Sequence, residues 1–469
     1  MELKIDFLVF STIIRIMKRD VYKKLLNWKQ SELRKPLILK GARQVGKTYI
    51  LKEFAKKEYD NFAYLNFEDD PALDAIFMHR FDKQKIISYL SAYANSIISP
   101  DSSLIVFDEI QASVNALDAL KYFKENANEY HVIAAGSLLG IKLAGQKSFP
   151  VGQVNFIDLY PMSFLEFLDA LGKSSLRHLI EGKKDGFEPF PEPFHVELVE
   201  LLKYYYFTGG MPEAVDTYCR TNSFVNVRQI QKEIIDSYLL DFSKHAEKSD
   251  IVKISSIWQS IPVHLSKENK KFIFSAVRKS ARARNYENAL QWLIDAGILY
   301  KSYNVSTPKL PLEAYAKTDF FKIFFLDIGL LGAMSNISMD MIVRGNDIFT
   351  HFHGAMVENY VAQQLIEKCQ SNLFYWTSQG KAEVDFLFSV NDRIYPVEAK
   401  AGINLQSKSL KVYNEKYKPY VLSRISLQNL KKDDNACNYP LYGISLFPIM
   451  SQKESRGESC SKLPLKLDS

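Results

Sequence analysis

Residues 36–58 read PLILKGARQVGKTYILKEFAKKE, and the fold turns on this stretch. The octapeptide Gly41-Ala42-Arg43-Gln44-Val45-Gly46-Lys47-Thr48 fits the pattern GxxxxGK[ST] without a mismatch. Its two glycines let the main chain curl closely enough for successive N–H groups to point at phosphate oxygens. Lys47 is placed to reach the outer phosphates of ATP, and Thr48 offers a hydroxyl to Mg²⁺. PLILK before the loop reads as a buried strand and TYILKEFAKKE after it as a helix, whose positive N-terminal end favours an anion. All eight loop residues are therefore assigned to nucleotide binding.

A second element agrees with the first. In LIVFDEI an apolar run ends at Asp108 and Glu109, about 60 residues downstream. An acid ending a buried strand can hold Mg²⁺, together with Thr48, and Glu109 can polarise an attacking water. HVIAAGS ends at Ser137, a polar group where a γ-phosphate sensor would sit, although serine after glycine is also ordinary turn chemistry. NFAYLNFED, SLIVFDEI and YHVIAAGS add three strand-like runs separated by helix-like segments. Such alternation implies an α/β fold, a parallel sheet with helices on both faces.

These residues resemble the AAA+ type of ATPase, and more narrowly a prokaryotic family of ATP-binding proteins whose loop reads GARQVGKT. Other stretches carry the same resemblance: MKRDVYKKLLNWK at 17–29, DLYPMSFLEFL at 158–168, GGMPEAV at 209–215, FFLDIGLL at 324–331, GAMVENYV at 354–361 and EVDFLF at 383–388. The resemblance implies an ATP- and Mg²⁺-dependent ATPase with a poorly characterised C-terminal domain. AAA+ relatives often assemble into rings, so the resemblance allows a homo-oligomer while leaving the oligomeric state open. Where the family commonly has Gly-Arg, this chain has Gly152–Gln153, so no arginine finger is assigned.

The chain divides by pattern into an extension at 1–16, an ATPase core at 17–170, a helical lid at 171–250 and a winged-helix-like unit at 251–335. A mixed α/β block at 336–450 and a polar tail at 451–469 follow. FLVFSTIIRI at 7–16 is too short to span a bilayer and contains Arg15, so no membrane segment is expected. MKRD at 17–20 looks like the family's usual opening, which makes 1–16 an upstream extension.

In the last block, AEVDFLFSVNDRIYPVEAKAG (382–402) alternates around a turn. The expected hairpin puts Glu383, Asp385 and Leu387 on one face of its first strand, opposite Val384, Phe386 and Phe388. Glu398 and Lys400 share a face of the second. Two carboxylates, Asp385 and Glu398, can hold a divalent metal while Lys400 steadies developing charge. This spacing resembles the PD-(D/E)xK superfamily of restriction-type nucleases, with Glu358 as the helical acid of a helix that packs beside the site. The plainer reading is a hairpin with charges on its wet face, and Pro396 suggests an edge strand or bulge. Two functions stay open: an ATP-gated nuclease acting on DNA, or a nucleotide-switched module in which an inactive nuclease-like domain grips DNA or a protein.

Composition narrows this little. With 47% hydrophobic and 24% charged residues and a net charge of +6, the 469-residue chain reads as an ordinary multi-domain globular protein, and the mild excess of cations permits a nucleic-acid partner. The basic string RKSARARN at 278–285 can contact phosphates or simply face water. Cys219, Cys369, Cys437 and Cys460 show no paired spacing, which excludes a CxxC zinc site and points to a reducing cytoplasm. His351 and His353 share a face if extended, but no third ligand lies nearby, so packing or a surface role is expected.

Overall fold

The computed structural model describes residues 17–78, 82–137, 152–266, 271–279, 281–343, 353–369, 372–378, 382–401, 407–433 and 436–449. The extension 1–16, the tail 451–469 and His351 lie outside them. α1 (Val21–Gln30) precedes β1 (Leu37–Lys40), the glycine loop and α2 (Lys47–Glu58). Then come β2 (Asn61–Asn66), α3 (Lys83–Ala94), β3 (Ser103–Asp108), α4 (Val114–Asn126), β4 (His131–Gly136) and β5 (Asn155–Asp158). The strands pair in parallel in the order β2-β3-β4-β1-β5. Four are the strands expected from sequence; β5, only NFID, is too short to stand out.

Strand alternation explains the two-sided packing. Leu37, Leu39, Leu104 and Val106 pack with Leu25 of α1 and with Ile50 and Phe54 of α2. Ile38, Ile105, Phe107 and Val132 point the other way, onto Leu90 of α3 and Leu120 of α4. Each residue step along a strand reverses the face, so one apolar run serves both layers.

Helices follow. α5 (Phe164–Ala170) opens with a reciprocal cap between Ser163 and Glu166. α6 (Ser174–Glu181), α7 (Glu192–Thr208), α8 (Pro212–Thr221) and α9 (Phe224–His245) form a helical layer. The aromatic run at the end of α7 seals it, with Tyr205, Tyr206 and Phe207 buried. α10 (Lys248–Ser266), α11 (Phe274–Val277) and α12 (Ala283–Asp295) lead into β6 (Leu299–Val305) and β7 (Ala316–Phe325), an antiparallel hairpin. α13 (Ile328–Met334), α14 (Met339–Val343) and α15 (His353–Cys369) come next. His353 opens α15, so the extended geometry assumed for the histidine pair does not apply to it.

β8 (Leu373–Thr377), β9 (Glu383–Val390) and β10 (Arg393–Ala399) make an antiparallel meander, and α16 (Lys408–Tyr417) carries the chain to β11 (Leu422–Ser426), parallel to β10. β12 (Lys431–Asp433) and β13 (Ala436–Pro440) complete one mixed sheet in the order β12-β13-β11-β10-β9-β8-β6-β7. Because β6 pairs in parallel with β8, segments 251–335 and 336–450 share this sheet. The expected β9–β10 hairpin is present, and Asn391 and Asp392 take the left-handed conformation that a two-residue turn requires.

Two expectations about that hairpin need correcting. The pairing of β8 with β9 shifts between Phe374 and Trp376, so Val384 and Leu387 fall in one apolar cluster while Phe386 and Phe388 join the other. Strict alternation had put Leu387 opposite Val384; an irregularity of one residue breaks the period. Pro396 does not mark an edge: β10 lies between β9 and β11, and the ladder to β11 starts only at Val397, just after the proline. Among the described residues, no helix is long and apolar enough to cross a membrane.

A buried polar hub ties the layers together. The Asp327 carboxylate, fully shielded, accepts N–H bonds from Gly210 at 2.6 Å and from Leu330 at 2.9 Å, capping α13. Burial pushes this carboxyl up to about 6 although those N–H groups pull it down. A side chain on Gly209 would collide with this carboxylate, and one on Gly210 with the Met162 carbonyl. The Tyr205 hydroxyl donates to Met162 O at 2.5 Å and accepts from Gln363 Nε2 at 3.0 Å and Gln364 Nε2 at 3.2 Å. Gln364 Oε1 in turn accepts from Phe164 N, and Asn359 bonds both backbone groups of Phe325. Asp327→Ala orphans several buried N–H groups, and the unfolding free energy should fall by about 3 kcal/mol or more in chemical denaturation.

Candidate functional site

The loop sits at the carboxyl end of β1, between strand and helix. Gly46 caps α2 in the left-handed conformation (φ 94°), and a side chain on Gly41 would strike the Leu159 carbonyl. Both glycines are thus required by backbone geometry. Lys47 is buried, and its Nζ donates to Gly41 O at 3.0 Å and Ala42 O at 2.8 Å. Burial pulls its pKa down to about 8, while Glu109 and Asp108 oppose the shift.

Thr48 Oγ1 donates to Asp108 Oδ2 at 2.6 Å, and Tyr64 OH donates to the same oxygen at 2.7 Å. Asp108 ends β3 and Glu109 follows in a left-handed conformation (φ 47°) rare for a side chain this long. That turn aims the Glu109 carboxylate at Gln111, which donates to it, and at Ser137, whose Oγ lies 3.5 Å away. Ser137 is buried at the end of β4. Lys47, Thr48, Asp108, Glu109 and Ser137, distant in sequence, meet at one end of three adjacent strands. Thr48 and Asp108 supply hard oxygen donors side by side, which suits Mg²⁺.

Residues 33–168 match the family described as an AAA domain. The all-parallel sheet agrees with it, and the chain therefore carries an AAA+ P-loop ATPase fold. Residues 199–340 and 353–444 match two domains of unknown function, DUF8612 and DUF4143. No curated protein matches the chain. Among solved structures, the chain is similar to the Walker-type ATPase PABY2304 of Pyrococcus abyssi, at 13% identity and a TM-score of 0.43 over 68% of this chain and 96% of that one. It is also similar to the ORC2 protein of Aeropyrum pernix, at 12% identity and a TM-score of 0.35 over 71% and 98%.

The AAA domain has supports that local sequence does not reveal. Arg19, buried in the MKRD opening, donates to Val45 O at 2.9 Å and Tyr160 O at 2.6 Å, and pairs with Glu166 at 3.1 Å. On the other side, the turn after α12 brings Gly297 against Ala42; a side chain there would approach Ala42 N at 3.5 Å. Gln153 is half-buried before β5.

The C-terminal acids lie apart from this loop on the second sheet. Asp385 accepts from Ala399 N at 2.9 Å, and Glu398 pairs with Lys400 at 2.9 Å, so Asp385 reaches the main chain between the other two. Glu358 on α15 meets Lys322 of β7, 3.7 Å from its Nζ. Lys322 is 1% exposed and also pairs with Glu383. Burial would lower its pKa, but Glu358, Glu383 and Asp385 outweigh that and raise it. An ammonium group thus sits among the acids, contributed by a strand that the sequence reading placed in another unit. Among the described residues, no group of three or more His, Cys, Asp or Glu is arranged to hold a metal ion.

If Lys47 meets the phosphates, their binding favours its charged form, and nucleotide affinity should fall as pH rises past about 8. Titrating a fluorescent ATP analogue between pH 7 and 9.5 checks this, and a flat profile would show that deprotonation of Lys47 does not limit binding in that range.

Proposed function

We propose that this chain is a Mg²⁺-dependent ATPase whose nucleotide state governs a nuclease-like C-terminal domain that engages DNA. The observation that carries the ATPase reading is the pairing of Thr48 with Asp108 beside buried Lys47, with Glu109 and Ser137 at the same edge. Loop N–H groups and Lys47 would hold the phosphates, Glu109 would orient the attacking water, and Ser137 would contact the γ-phosphate. Mg²⁺, held through Thr48 and Asp108, would neutralise charge developing on the phosphates. The resemblance to AAA+ proteins supports assembly into a homo-oligomer, and four cysteines scattered without paired spacing support a cytoplasmic setting.

For the C-terminal domain, Asp385, Glu398 and Lys400 on adjacent strands beside the Glu358 helix support the nuclease-like reading. Lys322 favours the version in which this domain grips rather than cuts. Its buried ammonium neutralises Glu358 and Glu383, charge that a divalent cation would otherwise balance. The winged-helix-like hairpin and exposed Arg278, Lys279, Arg282 and Arg284 supply a basic surface for the DNA backbone.

Glu109→Gln should leave ATP affinity within about threefold of wild type and cut phosphate release by at least a hundredfold. Unchanged turnover removes Glu109 from its role. Wild type should retard duplex DNA in a mobility-shift assay while leaving plasmid intact in Mg²⁺. Cleavage that Asp385→Ala abolishes would restore the nuclease reading, and failure to bind any nucleic acid would leave a protein as partner.

A further inference from the structure

We propose that Tyr238 and Asp241 of α9 are positioning residues of the nucleotide site, acting on the phosphate loop through Arg43. This deepens the nucleotide-binding reading and rests on it. The loop's intervening residues carry no phosphate ligand in their side chains, since the anion is met by main-chain N–H groups and by Lys47. Two of them, Arg43 and Gln44, meet one helix instead. The Tyr238 hydroxyl donates to the Arg43 carbonyl at 2.8 Å. The Arg43 guanidinium pairs with Asp241, which is 3% exposed, and approaches Glu68 at 3.8 Å. Gln44 Nε2 donates to Ser237 Oγ at 3.1 Å. Asp241 lies one turn beyond the adjacent pair Ser237 and Tyr238, so α9 meets the loop over a single turn.

The chemistry of an anion nest gives these contacts a purpose. A nest works only if every peptide turns its N–H inward; one flipped peptide aims a carbonyl oxygen at the phosphates and repels them. The peptide joining Arg43 to Gln44 is under strain that a flip would relieve, because Gln44 holds a left-handed φ of 64°, a conformation unfavourable for every residue but glycine. Tyr238 holds that carbonyl outward. Asp241 anchors the side chain of the same residue, leaving its guanidinium neutralised and away from the loop's concave side. Both contacts come from the helical layer, so the position of α9 sets the shape of the loop.

The test uses the full-length protein and a fluorescent ATP analogue. Tyr238→Phe keeps the ring and its packing on Trp258, and Asp241→Asn keeps the size of the side chain. Each should weaken nucleotide affinity about tenfold. Arg43→Gln combined with Asp241→Asn should weaken it no further than either alone, because the two changes remove one pair. Amide exchange in α9 should slow on nucleotide binding in wild type and respond less in Tyr238→Phe, a readout that a packing role would not move. If wild type fails to bind, or Lys47→Ala binds as well as wild type, the nucleotide reading itself falls. If wild type binds, Lys47→Ala does not, and Tyr238→Phe and Asp241→Asn each match wild type, or Arg43→Gln and Asp241→Asn combine additively, this inference alone is overturned.

Discussion

A single shielded carboxylate, that of Asp327, fixes how the parts of this chain meet. Its two oxygens take N–H groups from the Gly209–Gly210 turn and from the start of α13. Only glycine lets the turn come that close, and Gly329 crowds the Thr208 carbonyl from the opposite side. Around this contact, Tyr205, Gln363, Gln364 and Asn359 bond to main-chain groups of Met162, Ile328, Phe164 and Phe325 respectively. A polar group buried without a partner is expensive, so each of these bonds excludes other arrangements of the layers more strongly than apolar packing does. The ATPase core, the helical layer and the C-terminal half are therefore held at one mutual geometry.

The nucleotide loop depends on the same logic at closer range. Its backbone is strained at Gln44, as is the adjoining turn at Glu109, and strain of this kind persists only when neighbours overdetermine it. Arg19 braces the loop from beneath, α9 from one side and the Gly297 turn from another. None of these three belongs to the strand–loop–helix unit that defines the motif.

This division explains what the sequence made legible. The loop, β1 through β4, the acid at Asp108 and the β9–β10 hairpin are local patterns, each written within a few consecutive residues. GGMPEAV, FFLDIGLL, GAMVENYV and YPMSFLEFL could be picked out as stretches resembling a family, yet their reason, convergence on one hub, is tertiary. Asp241, Tyr238 and Gly297 carry no local signal at all. Lys322 was hidden because it reads as one basic residue in a strand-like run of mixed polarity, and only the pairing of β6 with β8 brings it to the acids. The facing of Leu387 was missed for a smaller reason: a one-residue irregularity does not show in an alternating pattern.

The shared sheet also bears on how the molecule can be dissected. The C-terminal match spans 353–444, whereas the strand pairing and the ammonium that complete that half come from β6 and β7. A fragment cut just ahead of α15 would leave β8 as a raw edge open to intermolecular pairing. Its interior acids would have to take up protons or draw in water to replace the missing cation. The smallest autonomous piece of the C-terminal half is therefore longer than its family boundary, and it begins no later than β6.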